Sequence, residues 1–269
     1  ARETTLTWIG HATMLLQLKG INILTDPQYS ERASPFQWTG PRRVVPPGLA
    51  LDKTPPIHLV IISHDHYDSL DRPSLRKLYA RKGGGETTFL VPLGLKRWFE
   101  AEGIRRVIEL DWWDQYDYRD LKITAVPVQH WSQRRPFERN KTLWAGWVVQ
   151  SADFRFFFAG DTGYAGIFKE IGSKLGPFDL SAIPIGAYEP RWFMRTFHVN
   201  PREAVRIHLD VRSKKSVAMH WGTFPLTDEP LDEPPGKLAE ALKELRVPEE
   251  AFQVLQHGET LTFPVRSNP

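Results

Sequence analysis

The segment Ser63-His64-Asp65-His66-Tyr67-Asp68-Ser69 sets two imidazoles and a carboxylate at alternate positions. Imidazole nitrogen and carboxylate oxygen are the donors that suit a borderline cation such as Zn²⁺. An apolar run at residues 59–62 precedes them and reads as a buried strand, so the donors occupy the loop where that strand ends. Three further positions share this context. His130 lies just past a strand-like stretch at 123–128. Asp161 stands in Ala159-Gly160-Asp161-Thr162-Gly163, directly after Phe156-Phe157-Phe158. His220 follows the short apolar run at 216–218. A lone histidine at a strand end is usually structural, but donor clusters repeated in one context point to a shared site at a sheet edge. Water held by a zinc ion with an open position ionises near about pH 7 instead of roughly 15.7. Such a site therefore hydrolyses esters without a serine or cysteine nucleophile.

The composition narrows the choice. The 269 residues contain no cysteine, which excludes thiolate metal sites, disulfides and cysteine nucleophiles. Hydrophobic residues at 41% and charged residues at 25% are ordinary for a globular chain long enough to bury a sizeable core. The net charge of +3 is too small, and its basic residues too dispersed, to argue for nucleic acid. Short basic pairs such as Arg105-Arg106, Arg134-Arg135 and Lys214-Lys215 read as solvated surface. No apolar run is long enough to span a bilayer and no signal-like segment opens the sequence, so a soluble protein is expected, cytoplasmic or processed periplasmic, with peripheral membrane contact left open.

The elements that must position these donors are partly visible. Residues 6–9, 14–18 and 21–24 read as strands, with Lys19-Gly20 as a tight hairpin turn. Residues 30–56 are rich in Pro and Gly and read as a long functional loop. Arg72-Pro73 opens a helix to about residue 81, with Asp71 at its start. Further strands are expected at 107–110, 121–128, 144–150 and 154–158. Asn200-Pro201-Arg202-Glu203 starts a helix whose buried face carries Ala204, Ile207, His208 and Val211. Leu238, Ala241, Leu242 and Leu245 repeat that pattern in a last helix. Strands then helix, twice over, suggest two sheets with helices outside, in a single domain spanning residues 1–269.

The order His-x-His-x-Asp, a lone His, Gly-Asp-Thr-Gly and a final His resembles the metallo-β-lactamase superfamily. It is most similar to the N-acylphosphatidylethanolamine-hydrolysing phospholipases D, through Thr7-Trp8-Ile9-Gly10-His11-Ala12-Thr13, Arg32-Ala33-Ser34-Pro35, Glu109-Leu110-Asp111-Trp112-Trp113, Tyr188-Glu189-Pro190-Arg191-Trp192-Phe193-Met194 and His220-Trp221-Gly222-Thr223-Phe224. The resemblance implies an α+β fold, a four-layer αββα sandwich, with two zinc ions. Carried over by position, His64, His66 and His130 hold one metal, Asp161 bridges, and Asp68 and His220 belong to the second. Asp68 and Asp161 are also the implied catalytic carboxylates. Asp26 resembles a buried aspartate that props the metal loop. His198, Tyr188, Arg191, Trp192, Phe193 and Met194 match a substrate cleft, and Gln37, Trp38, Arg42 and Arg43 would cover it. His11, between two strands, reads as structural or as a support for the ligands.

One position departs from that pattern: Ser69 stands where the family carries another metal-binding histidine. Either Asp68, Asp161, His220 and water still hold a second metal, or the second position is empty and leaves Asp68 as a general base. One zinc is expected; the second is open. The expected activity is phosphodiester hydrolysis of phospholipase D type on N-acylated phosphatidylethanolamine-like lipids. The alternatives are hydrolysis of a lactone, β-lactam or phosphotriester on the same centre, or a non-catalytic metal- or lipid-binding relic. The expected partner is a phospholipid or other small molecule, not nucleic acid.

Overall fold

The computed structural model describes residues 3–264. The chain forms two compact units, the first from the described parts of 1–111, 132–143 and 256–269, the second from 112–131 and 144–255.

In the first unit, β1 (Thr4–Gly10), β2 (Thr13–Leu18) and β3 (Ile21–Thr25) make an antiparallel meander. The β2–β3 turn has Lys19 at φ 53° and Gly20 at φ 76°, two left-handed residues of the kind that match hairpin twist. β4 (Leu59–Ile61), β5 (Thr88–Pro92) and β6 (Val107–Leu110) then add in parallel beyond β3. The strand Thr260–Phe263 closes the other edge against β1, giving seven strands. The helix α1 (Arg72–Ala80) begins where the Asp71 carboxylate accepts the Ser74 N–H, and it buries Leu75 and Leu78. Those side chains pack with Val60, Ile62, Phe89 and Phe99, the last carried by α2 (Lys96–Ala101). β1, β3 and β4 run in one direction, so the residues that follow them, His11, Asp26 and Ser63-His64, emerge at one edge of this sheet.

The 30–56 loop lacks strands of its own and contains one short turn of 3-10 helix at Leu51–Lys53. Arg43 anchors it: its guanidinium donates to the Gln28 carbonyl and side-chain oxygens at 2.5 Å and to the Ser30 carbonyl at 3.1 Å.

The second unit holds the other seven-stranded sheet: β7 (Gln115–Tyr118), β8 (Leu121–Val126), β9 (Gly146–Gln150), β10 (Arg155–Phe158), β11 (Leu180–Pro184), β12 (Ser216–Met219) and β13 (Phe252–Gln253). Neighbours are antiparallel from β7 to β10 and parallel from β10 to β13. β8, β10, β11 and β12 therefore share a direction, and His130, Asp161, the Gly186 turn and His220 all lie past their C-terminal ends. Beside this sheet run α3 (Ile167–Lys174), α4 (Arg191–Met194), α5 (Pro201–Asp210) and α6 (Glu233–Leu245). The start of α5 is a full capping box, with Asn200 and Glu203 each bonding the other's backbone N–H.

His208 on the inner face of α5 is buried, with Nδ1 2.8 Å from Ser216 Oγ. Burial lowers its pKa to about 4. The unfolded chain, with an ordinary histidine near about 6.5, binds the extra proton first as pH falls. Stability contributed by neutral His208 is therefore present above about pH 6.5 and lost between there and about pH 4, by about 3 kcal/mol at most. Urea unfolding of wild type and His208→Gln across that window should show the shallower pH dependence in the variant.

Candidate metal centre

In the first unit the donors leave β4 on a loop fixed from below. Asp26, buried and at φ 32°, accepts the Ser63 N–H at 2.7 Å and the Ser63 hydroxyl at 2.5 Å. The hydroxyl's one proton goes to that carboxylate, so Ser63 Oγ accepts from His64 Nδ1 at 2.8 Å. His64 then carries its proton on Nδ1 and presents the Nε2 lone pair, the tautomer a metal needs. The His66 ring stands edge-on to it at 4.5 Å between centroids. Asp68 follows, with Oδ2 3.0 Å from His11 Nε2.

A second clamp, absent from the sequence reading, holds this loop from outside. Arg134 donates to the carbonyls of Asp65 at 2.8 Å and Leu70 at 2.9 Å. Its guanidinium lies over the rings of Tyr67, 4.2 Å away, and Trp98, 4.9 Å away. The Tyr67 hydroxyl donates back to the Arg134 carbonyl at 2.8 Å. Asp65 accepts the Gln133 N–H at 2.9 Å and the Thr142 hydroxyl at 3.3 Å, and burial pushes its carboxyl above the usual range. The expectation that Arg134-Arg135 is merely solvated therefore fails for Arg134, one of whose guanidinium nitrogens donates to two backbone carbonyls; nothing local in the sequence signals this.

In the second unit, His130 Nδ1 donates to the Phe197 carbonyl at 2.9 Å and His220 Nδ1 to the Gly186 carbonyl at 3.2 Å. Carbonyls only accept, so both rings turn Nε2 lone pairs inward. There they meet Asp161: Oδ2 lies 3.0 Å from His220 Nε2 and 4.0 Å from His130 Nε2. A carboxylate oxygen 3.0 Å from an imidazole lone pair is two acceptors facing each other. A second proton on the ring or a cation between them resolves that opposition. The donor set thus fits a divalent metal. Gly186 and Gly163 permit the approach: a Cβ on Gly186 would meet the His220 carbonyl at 2.4 Å, and one on Gly163 the Thr196 carbonyl at 2.2 Å. His220 itself has φ 59°, a left-handed conformation that needs such support.

His198, expected in a substrate cleft, stands among these donors. Its ring is 5.1 Å from His130 and 5.5 Å from His220, and His130, Asp161 and His198 each offer a ligand atom within 4.8 Å of the others. Arg191 holds this segment, donating to the His198 carbonyl at 2.9 Å and to Glu203 at 2.8 Å. Tyr188 is buried and its hydroxyl bonds Glu233 at 2.5 Å, so it braces the loop. Trp192 and Phe193 are open to solvent, 81% and 59% exposed, with rings 5.7 Å apart, and Met194 is half-buried. In the first unit Ser69 is buried, and its hydroxyl has no hydrogen-bond partner among the described residues.

Comparison with known proteins agrees with this chemistry. The Beta-lactamase superfamily domain matches residues 21–221. The chain is 44% identical over 247 residues to the N-acyl-phosphatidylethanolamine-hydrolyzing phospholipase D 1 of Caenorhabditis elegans, covering 88% of this chain and 69% of the relative. It is 32% identical to the mitochondrial N-acyl-phosphatidylethanolamine-hydrolyzing phospholipase D of Saccharomyces cerevisiae, with 86% of this chain covered. The chain spans only half the length of that yeast relative. Among solved structures, a metallo hydrolase from the archaeon Ignicoccus hospitalis superposes with a TM-score of 0.73 at 19% identity, covering 98% of this chain and 100% of the other, a likeness of fold alone.

Removing the relay behind His64 tests the tautomer argument. Ser63→Ala leaves the His64 Nδ1 proton without its acceptor, and Zn²⁺ affinity measured against a competing chelator should fall about 10- to 100-fold.

Proposed function

The chain belongs to the metallo-β-lactamase superfamily and is a metal-dependent hydrolase, and from that premise we propose that it is a zinc phosphodiesterase of phospholipase D type. His64, His66, His130, Asp161, Asp68 and His220 would be its metal ligands, His64, His66 and His130 serving one ion, Asp68 and His220 a second, and Asp161 both. The observation that carries the reading is the opposition of Asp161 and the His220 lone pair at 3.0 Å, which a cation relieves. The substrate class rests on the similarity to the nematode and yeast phospholipases. A bound divalent metal supplies Lewis acidity toward a phosphoryl oxygen and makes water a nucleophile at neutral pH.

The chain's own groups do the rest. Asp68 and Asp161 accept the proton as water adds to phosphorus in line with the leaving alkoxide. His198, whose carbonyl accepts from Arg191, would donate to a phosphoryl oxygen. The P–O bond to the N-acylethanolamine then breaks, the departing oxygen takes back the proton the carboxylate accepted from water, and phosphatidic acid remains. The exposed Trp192–Phe193 pair, on the loop that leads to His198, suits contact with a lipid interface. No helix among the described residues is long and apolar enough to cross a membrane.

Incubation with N-acylphosphatidylethanolamine should release N-acylethanolamine and phosphatidic acid, and chelator dialysis followed by zinc return should abolish and restore that release. Faster turnover across a lactone and phosphotriester panel than on the lipid would refute the substrate assignment. Trp192→Ser with Phe193→Ser should lower vesicle sedimentation and turnover on vesicles at least about fivefold, while turnover on a short-chain, monomeric substrate stays within about twofold.

A further inference from the structure

We propose that His11 is itself a ligand of the second cation, paired with Asp68, and that it supplies there the imidazole that Ser69 lacks. The inference rests on the metal-centre reading above and adds to it a donor from the β1–β2 turn. β1 runs parallel to β3 and β4, so the residue after its end emerges beside the metal loop although 52 positions separate His11 from Ser63. His11 is 1% exposed, and its Nε2 lies 3.0 Å from Asp68 Oδ2. Zinc–nitrogen and zinc–oxygen bonds of about 2.1 Å set neighbouring ligands of one ion roughly 3.0–3.4 Å apart. The observed separation is thus the one two ligands adopt without further movement.

The surroundings favour that use. Position 69 offers a buried hydroxyl with no hydrogen-bond partner among the described residues, a neutral oxygen that is a poor ligand beside imidazole. His11 is held at φ 54°, a left-handed conformation uncommon for histidine, and its carbonyl is pinned by Trp8 Nε1 at 2.9 Å. Trp8 is fixed in turn by the His257 ring, 4.3 Å away. A strained backbone, locked by a buried tryptophan, aims this imidazole at a carboxylate already assigned to metal.

A hydrogen bond from His11 to Asp68 would have the same length, so the test separates donor from ligand. Apo-protein is titrated with Zn²⁺ against a chromophoric chelator, for wild type and His11→Gln, whose amide keeps a donor toward Asp68 but lacks the imidazole. Wild type should take two equivalents, and His11→Gln should keep one at unchanged affinity and bind the other at least about tenfold more weakly. Zinc-edge anomalous diffraction from the unaltered protein, which needs no variant to fold, should place a peak about 2.1 Å from His11 Nε2. Two equivalents of unchanged affinity in His11→Gln, or a second peak remote from His11, overturns this proposal and leaves the metal-centre reading standing, whereas a single equivalent in wild type overturns it together with the second ion and leaves only the His64, His66 and His130 ion. Absence of any bound zinc in wild type overturns both.

Discussion

A carboxylate oxygen of Asp161 faces the lone pair of His220 in a setting that water does not reach. In water two such acceptors would turn to solvent. Here the His220 ring is not free to turn, because the Gly186 carbonyl fixes it and the left-handed backbone of His220 fixes its origin. With the ring neutral the contact is unfavourable, and a second proton on the ring or a cation converts it into a favourable one. Much of the second unit serves to keep that contact from relaxing, from the shared direction of β8, β10, β11 and β12 to the two glycines that let backbone segments touch.

The first unit solves the same problem with different parts. Its candidate donors lie on one loop, and a loop alone would let imidazoles rotate away. Asp26 and Ser63 assign the proton of His64, while Arg134 takes two carbonyls of the loop and stacks on Tyr67 and Trp98. Site residues held at positive φ, His11, Asp26 and His220, all sit where strands end. Strain collected at strand ends is what precise placement of donors requires, and the buried sheets beneath supply the rigidity that sustains it.

The local signals held where a residue's partner lies nearby in sequence. The Lys19-Gly20 turn, the Asp71 start of α1 and the Asn200–Glu203 box depend on contacts within a few positions, so residue type alone announces them. The strands at 107–110 and 146–150 were visible from β-branched and aromatic runs. α2, α3, β7, β11 and β13 were not named in advance, because they are short or lack a clear period and owe their form to the neighbours they pack against.

For the functional residues the division is the same. Residue types and spacing in the sequence determined that histidines and aspartates follow apolar strands and could share a metal, and the resemblance of those motifs to a known superfamily pointed to a metal-dependent hydrolase. Only tertiary structure decided which of them are held as donors and by what. Arg134 turned to two carbonyls 64 and 69 positions away, Tyr188 gave its hydroxyl to Glu233, and His11 came to lie against Asp68. The reason is physical: a donor's chemistry is fixed by its own atoms, whereas its tautomer, orientation and partners are fixed by groups that only the pairing of distant strands brings within 3 Å.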